Sequence, residues 1–412
     1  MKIPELLAPA GGMRQLRAAV RFGADAVYVG MKHYSLRAYA GNFDDVQLKE
    51  AVALVHGAGK RLYVTMNIFA YDEDIPGMLD AARRAHALGV DAAIVSDPGV
   101  MTLLREQVPA LPLHVSTQAN TLNARTASLY HALGAQRVIL SRELSLSQIE
   151  RIRENTPQEL ELEAFVHGAV CMSYSGRCVL SNYLTGRDAN QGSCAQPCRW
   201  RYALVEQTRP GEYMPITEDS RGAYILSAHD LCMIEHIPEL VKAGIASLKI
   251  EGRMKTEYYV ATVVGAYRRA LDAYQRSLEE YEGLCAPLVR ELEKASHRPS
   301  DTDFYFGRPE QCAGAEGFRQ DSEFTAAVLD RLPGGEILLE VKNRFFTRDA
   351  LEAMTPKGIV PLTVGEIVME ETGERVGVVG HPKARVRIAA PEGIDAGDLL
   401  RGPCRNHARL DR

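Results

Sequence analysis

Four cysteines lie close together at Cys171, Cys178, Cys194 and Cys198, whereas Cys232, Cys285, Cys312 and Cys404 are scattered singly. The four are spaced C-x6-C-x15-C-x3-C in a stretch rich in glycine and serine. Thiolates are soft ligands, so such a set suits either structural zinc or an iron–sulfur cluster, and spacing alone leaves the two tied. Only the second pair approaches the short knuckle of zinc ribbons. Neither a redox C-x-x-C nor the C-x3-C-x2-C triad of radical enzymes occurs. Disulfides are disfavoured: the start MKIPELLAPAGG lacks the basic-then-apolar layout of a secretory leader, so the expected compartment is the reducing cytoplasm. A nucleophilic thiol is the third option, since His167 lies four residues before Cys171. It would need a depressed thiol pKa.

Those thiols need a frame. Short apolar runs alternate with amphipathic helical patterns through the first half of the chain. Strands are expected at 4–10, 25–30, 61–67, 91–97, 113–120, 137–144, 160–168 and 247–253. Eight strands in β-then-α order predict an α/β fold, a (β/α)8 TIM-type barrel. A doubly wound sheet would normally carry a G-x-G-x-x-G after its first strand, and APAGGMRQL has none. The regular spacing breaks once, between strands seven and eight, where the cysteine-rich insertion sits; HDLCMIEHIPELVKAG (229–244) then reads as the delayed seventh helix, carrying Cys232. Loops after barrel strands build active sites, so the insertion belongs on the functional rim. Polar strand ends face the same rim: Asn67, Ser116, Gln118, Asn120, Ser141, Arg142, Glu143, Glu163, His167, Lys249, Glu251 and Arg253. The expected division is a barrel over 1–280 with an insertion at 166–228, a helical segment and linker over 281–323, and a small all-β domain over 324–412.

The net charge of −5 excludes a globally basic protein but not a local nucleic-acid patch. Basic residues are dense at Arg177, Arg187, Arg199 and Arg201, at Lys249, Arg253 and Lys255, and at Arg401, Arg405, Arg409 and Arg412. The last set reads as solvated surface charge. No run approaches twenty uncharged apolar residues, which argues against a membrane-spanning helix.

The stretch EAFVHGAVCMSYSGRCVLS (163–181) resembles the signature of the collagenase-like U-32 peptidase family. Glu163, Phe165, Gly168, Ala169, Val170, Cys171, Gly176, Cys178, Leu180 and Ser181 meet every position of its pattern. The likeness continues through RDANQGSCAQPCRW, SLKIEGRMKTEYYV and SHRPSDTDFYFG, and length and C-terminal domain are similar to the tRNA-hydroxylation branch. The resemblance implies a 4Fe-4S cluster on Cys171, Cys178, Cys194 and Cys198, with Cys232 as the alternative fourth ligand. It also implies hydroxylation at C5 of the wobble uridine of tRNA, linked to prephenate and independent of molecular oxygen, with an electron-transfer protein as a further partner. On that reading His167, Tyr174 and Glu251 are candidate catalytic residues. Arg142, Arg177, Arg199, Arg253, Asn67 and Gln118 are candidate substrate contacts, arginine being suited to the carboxylates of prephenate. Tyr174 and Trp200 offer faces for an extruded uracil. The rivals are a collagenase-like peptidase, for which no H-E-x-x-H is present, and an RNA-binding module with structural zinc.

Overall fold

The computed structural model describes residues 3–171, 173–200, 204–205, 213–214, 229–307, 309 and 319–405, apart from the side chain of Arg199. Most of the expected insertion beyond 200, with Arg201, and the end of the chain, with Arg409 and Arg412, lie outside these residues.

Six βα units open the chain: β1 Glu5–Pro9 with α1 Met13–Arg21, β2 Ala26–Gly30 with α2 Asp45–Gly57, β3 Arg61–Met66 with α3 Ile75–Ala87, β4 Ala92–Val95 with α4 Pro98–Gln107, β5 Leu113–Val115 with α5 Ala124–Ala132, and β6 Ala135–Ile139 with α6 Leu146–Glu154. After β7 (Glu161–Ala169) come the short helix α7 (Leu180–Thr185) and the antiparallel pair β8 (Leu204–Val205) and β9 (Tyr213–Met214). Then follow β10 (Asp230–Cys232), α8 (Ile237–Lys242), β11 (Ser247–Ile250), α9 (Glu257–Arg276) and α10 (Leu278–Leu292). β1 to β7 pair in parallel sequence, and β11 pairs in parallel with both β1 and β7, which closes the expected eight-stranded barrel.

The strands are shorter at their C-terminal ends than their sequences suggest. Thr117–Ala119 is a 3-10 turn rather than strand, and the sheet ends at Ile139 and Ile250. The polar residues beyond these points leave the ladder and become loops. The expected helix over 229–244 is corrected more strongly: Asp230–Cys232 is a strand, antiparallel to β7, and only Ile237–Lys242 is helical. β7 runs nine residues, and its last two, Gly168 and Ala169, pair with β10 alone. An exposed strand edge wants a partner, and β10 provides one.

The barrel lumen is charged. Glu5 on β1 accepts hydrogen bonds from Arg137 on β6 at 2.6 Å and from Tyr63 on β3 at 2.9 Å, and neither strand neighbours β1, so these contacts cross the interior. Glu163, fully buried, bridges Arg137 at 3.0 Å and Lys249 at 2.8 Å. Burial pushes its carboxyl up, but Lys249 and Arg137 hold it below the ordinary carboxylate range.

The C-terminal domain is an eight-stranded antiparallel sheet over 322–403 with its own core, Ile337, Leu339, Val386 and Ile388 among it. Two of its strands, Ala350–Thr355 and Leu399–Pro403, were not expected. Arg401 is no surface charge: it is buried, donates to both carboxylate oxygens of Glu291 at 2.6 and 2.8 Å, and bonds Glu352 at 2.7 Å. With Lys342–Glu257 at 3.0 Å it rivets the domain to α9 and α10. Arg405 pairs with Asp349 and lies 4.8 Å over Phe346. No described helix is long and apolar enough to cross a membrane.

Removing one member of a buried charge pair strands the others. Glu163→Gln should therefore lower unfolding free energy by about 3–5 kcal/mol in urea titration. A loss below about 1 kcal/mol would show that the lumen does not depend on this bridge.

Candidate active site at the barrel mouth

Past Ile250 the chain delivers Glu251 and Arg253 to the rim. Arg37 approaches Glu251 at 3.6 Å from the loop after β2. Burial raises the Glu251 carboxyl, but Arg37, Arg142, Arg253 and Lys249 together hold it below its ordinary range. Arg142 lies 3.8 Å over the Phe165 ring and donates to the Ala169 carbonyl at 2.8 Å. Arg253 is buried and donates to Ser35 at 2.5 Å, to Thr65 at 2.9 Å and to Asn42, while its Nε meets no partner. Its two Nη atoms bind Ser35 and Asn42 of the loop that carries Arg37 and Thr65 of β3, so it acts mainly to position that loop. The fit leaves no spare room: a Cβ on Gly30 would stand 2.1 Å from an Arg253 nitrogen.

Other expected residues take distinct places. Asn67 donates to Ser116 at 3.1 Å, and its buried Oδ1 has no partner. Gln118 is buried with a free Oε1, while its backbone carbonyl receives Arg177 at 2.8 and 3.0 Å. Arg177 thus acts as a tether. His167 is buried against Tyr267, and desolvation lowers it to about 3, so it is a neutral imidazole at physiological pH. Cys232 sits on β10 opposite His167, where burial pushes its thiol up to about 11, apart from the cysteine loop. Tyr174 projects into solvent, and the side chain of Arg199 is outside the described residues.

Residues 170–200 form a cap over this mouth. On one side Ser175 donates to Asn120 at 3.0 Å and Glu143 at 3.1 Å. On the other, the Asn190 carbonyl accepts from Phe69 at 3.1 Å and Arg187 lies 4.8 Å over Tyr39. The cap therefore spans the loops after β2, β3, β5 and β6. Cys171, Cys178, Cys194 and Cys198 all lie in it, none of them in a disulfide. Cys171 and Cys194 both act electrostatically on Arg37. Chemically this donor set fits a thiolate-bound centre, and the Gln196 amide already donates to the Cys194 sulfur at 3.3 Å. Among the described residues no three Cys, His, Asp or Glu side chains converge on one metal position.

Two residues that sequence reasoning missed complete the mouth. Arg37 had one signal, the unusual length of the β2–α2 loop from Met31 to Asp44. Asp303 had none. It is buried in a left-handed conformation (φ 49°) with an unpartnered Oδ2, and burial raises its carboxyl to about 6 despite the nearby Arg142. Its segment is anchored by Tyr305, which donates to the Phe165 carbonyl at 2.7 Å.

The sequence profile of Peptidase family U32 matches residues 11–314, and that of the family's C-terminal domain matches residues 320–401. The chain belongs to peptidase family U32. It is 36% identical to tRNA hydroxylation protein P1 of Bacillus subtilis, over 97% of this chain and 95% of that protein. It is equally 36% identical to tRNA hydroxylation protein P of Escherichia coli, over 96% of each. The 23S rRNA 5-hydroxycytidine C2501 synthase of Escherichia coli is 32% identical over 90% of this chain and 55% of that protein.

The U32 signature now has a physical sense. Glu163 plugs the lumen and Phe165 underlies Arg142. Gly168 takes φ 103° where a Cβ would stand 2.4 Å from the Glu251 carbonyl, turning the chain off β7 into the cap. Ser181, fully buried, donates to the Arg187 carbonyl at 2.7 Å and receives the Ala195 amide at 3.0 Å.

A carboxyl raised in the folded state favours folding below its unfolded pKa and loses that advantage as pH rises through the folded value. Asp303→Asn, mimicking the protonated form, should thus stabilise the U32 fold increasingly from pH 4 to pH 7. Thermal midpoints whose difference stays constant over that range would contradict the assignment.

Proposed function

We propose that this chain is an RNA-hydroxylating enzyme acting at C5 of the wobble uridine of tRNA. The observation that carries the reading is a cationic mouth, Arg37, Arg142 and Arg253 around the carboxylate of Glu251, under a cap that carries four cysteines. Full-length similarity to proteins named for tRNA hydroxylation supports the substrate, and the rRNA relative's name supports C5 of a pyrimidine as the target.

The charge balance suits an anionic co-substrate. Arg37, Arg142 and Arg253 outnumber the carboxylates of Glu251 and Asp303, which leaves a positive surplus for a carboxylate such as those of prephenate. Arg142 and Arg37 are the clamps in this reading. Arg253 holds the Arg37 loop, and Glu251 keeps the clamp pair oriented. Converting C5–H to C5–OH with the oxygen of water releases two electrons and two protons, so the reaction needs an electron acceptor. A 4Fe-4S cluster on Cys171, Cys178, Cys194 and Cys198 would supply electron transfer, passing electrons to a protein acceptor; zinc has no redox chemistry. Tyr174 offers a ring at the edge of the cap. A cysteine peptidase would need a strongly basic imidazole beside its thiol, whereas burial makes His167 a weak base.

Anaerobically purified protein should carry about four irons per chain, lost in Cys171→Ala. Stoichiometric zinc without iron would overturn the redox reading. In a deletion strain complemented with this chain, 5-hydroxyuridine in tRNA should be restored, and Arg142→Ala should lower its formation roughly ten- to a hundredfold, the worth of a charged hydrogen bond. Arg142→Lys should not rescue it, because lysine lacks the planar fork.

A further inference from the structure

The cap and the loops beside it expose aromatic rings that folding leaves uncovered. Tyr39 on the β2 loop is 58% exposed, Tyr71 on the β3 loop 55%, and Tyr183 on α7 86%. All three lie on the C-terminal face, around the mouth, in company with Tyr174 and Trp200. None is needed by the chemistry at Glu251. Tyr39 carries the Arg187 guanidinium 4.8 Å above its ring, and Arg187 is held there by the carbonyls of Ser193 and Cys194 at 3.3 and 3.4 Å. The local charge is opposite to that of the whole molecule. Residues 171–200 contain three arginines and one aspartate, in a chain of net charge −5.

We propose that this outer surface is a track for single-stranded RNA, on which the nucleotides flanking the target base stack on Tyr39, Tyr71 and Tyr183 while Arg187 meets their phosphates. The proposal rests on the RNA-hydroxylation reading and adds to it which part of the RNA is held. Open aromatic faces bind unstacked bases of any sequence, whereas bases inside an A-form helix present no free face. Arginine stacked on a ring has its face covered and directs its donors in plane, so those of Arg187 beyond its bonds to Ser193 and Cys194 can meet a phosphate. The track therefore selects loops over stems. It also explains how one base leaves its neighbours and enters the capped mouth: the tyrosines replace the stacking that the flanking bases lose.

The test uses the full chain with two probes of equal length, a tRNA anticodon stem–loop and a blunt RNA duplex, in fluorescence anisotropy at fixed salt. Wild type should prefer the stem–loop. Tyr39→Ala, Tyr71→Ala and Tyr183→Ala should each weaken stem–loop binding roughly five- to a hundredfold, the range for loss of one base–aromatic stack, without altering duplex binding. Tyr183→Phe should bind as wild type, because the face and not the hydroxyl is used. These residues are exposed, and unchanged thermal midpoints confirm that the variants fold. Wild-type binding to the stem–loop that the three alanine variants retain would overturn the track alone. Loss of self-association in sedimentation, with RNA binding intact, would reassign the surface to a second copy of the chain. Failure of wild type to bind either probe would sink the hydroxylation reading together with the track.

Discussion

Everything at the mouth depends on the carboxylate of Glu163. It sits in the lumen with no access to water, and it ties β6 to β11 through Arg137 and Lys249. A lumen filled by aliphatic layers would place strand ends by shape alone. Here the angular position of three strands is set by charge, and a charge pair tolerates little displacement before its desolvation is uncompensated. Lys249 also reaches 4.4 Å from the Tyr28 ring, and Tyr28 donates to the Ile250 carbonyl at 2.9 Å. Two residues beyond Lys249, just past the end of β11, Glu251 faces the arginines. The rim chemistry is thus built on top of an electrostatic foundation of the same strand.

The second layer of the design is division of labour among arginines. Four of them converge on the mouth or its cap, and the contacts sort them. Arg253 and Arg177 give their donors to protein oxygens and fix loops. Arg142 rests on a ring with one donor engaged, and Arg37 is half exposed beside Glu251. Side chains of one chemical type serve as frame and as tool, and only the census of hydrogen bonds separates them.

How much of this was legible in the chain follows from where each signal is stored. The barrel was legible because period-two and helical patterns repeat eight times, and the C-terminal sheet because its short runs alternate with turns. The cysteine cap was legible from thiol density and from the signature at Glu163–Ser181. The strand Asp230–Cys232 was not, because its pairing responds to the overhang of β7, a fact of register that no local pattern records. Arg401 was misread as surface charge since its partners, Glu291 and Glu352, are over a hundred and about fifty residues away. The role of Asp303 at the mouth was hidden for the same reason: its segment is anchored through Tyr305 to Phe165, distant in sequence. Local chemistry was readable at the residue, and long-range pairing was not.

The cap is bound to the barrel by polar contacts: the hydroxyl of Ser175, the guanidinium of Arg177, the carbonyl of Asn190. No described residue from 171 to 200 belongs to either hydrophobic core. Polar contacts exchange with water at small net expense, while core contacts do not. Barrel folding and the filling of the cysteine loop are therefore separable events in the life of the molecule. The scaffold matures first, and whatever the thiols receive can be delivered, lost and replaced without unfolding the enzyme that holds it.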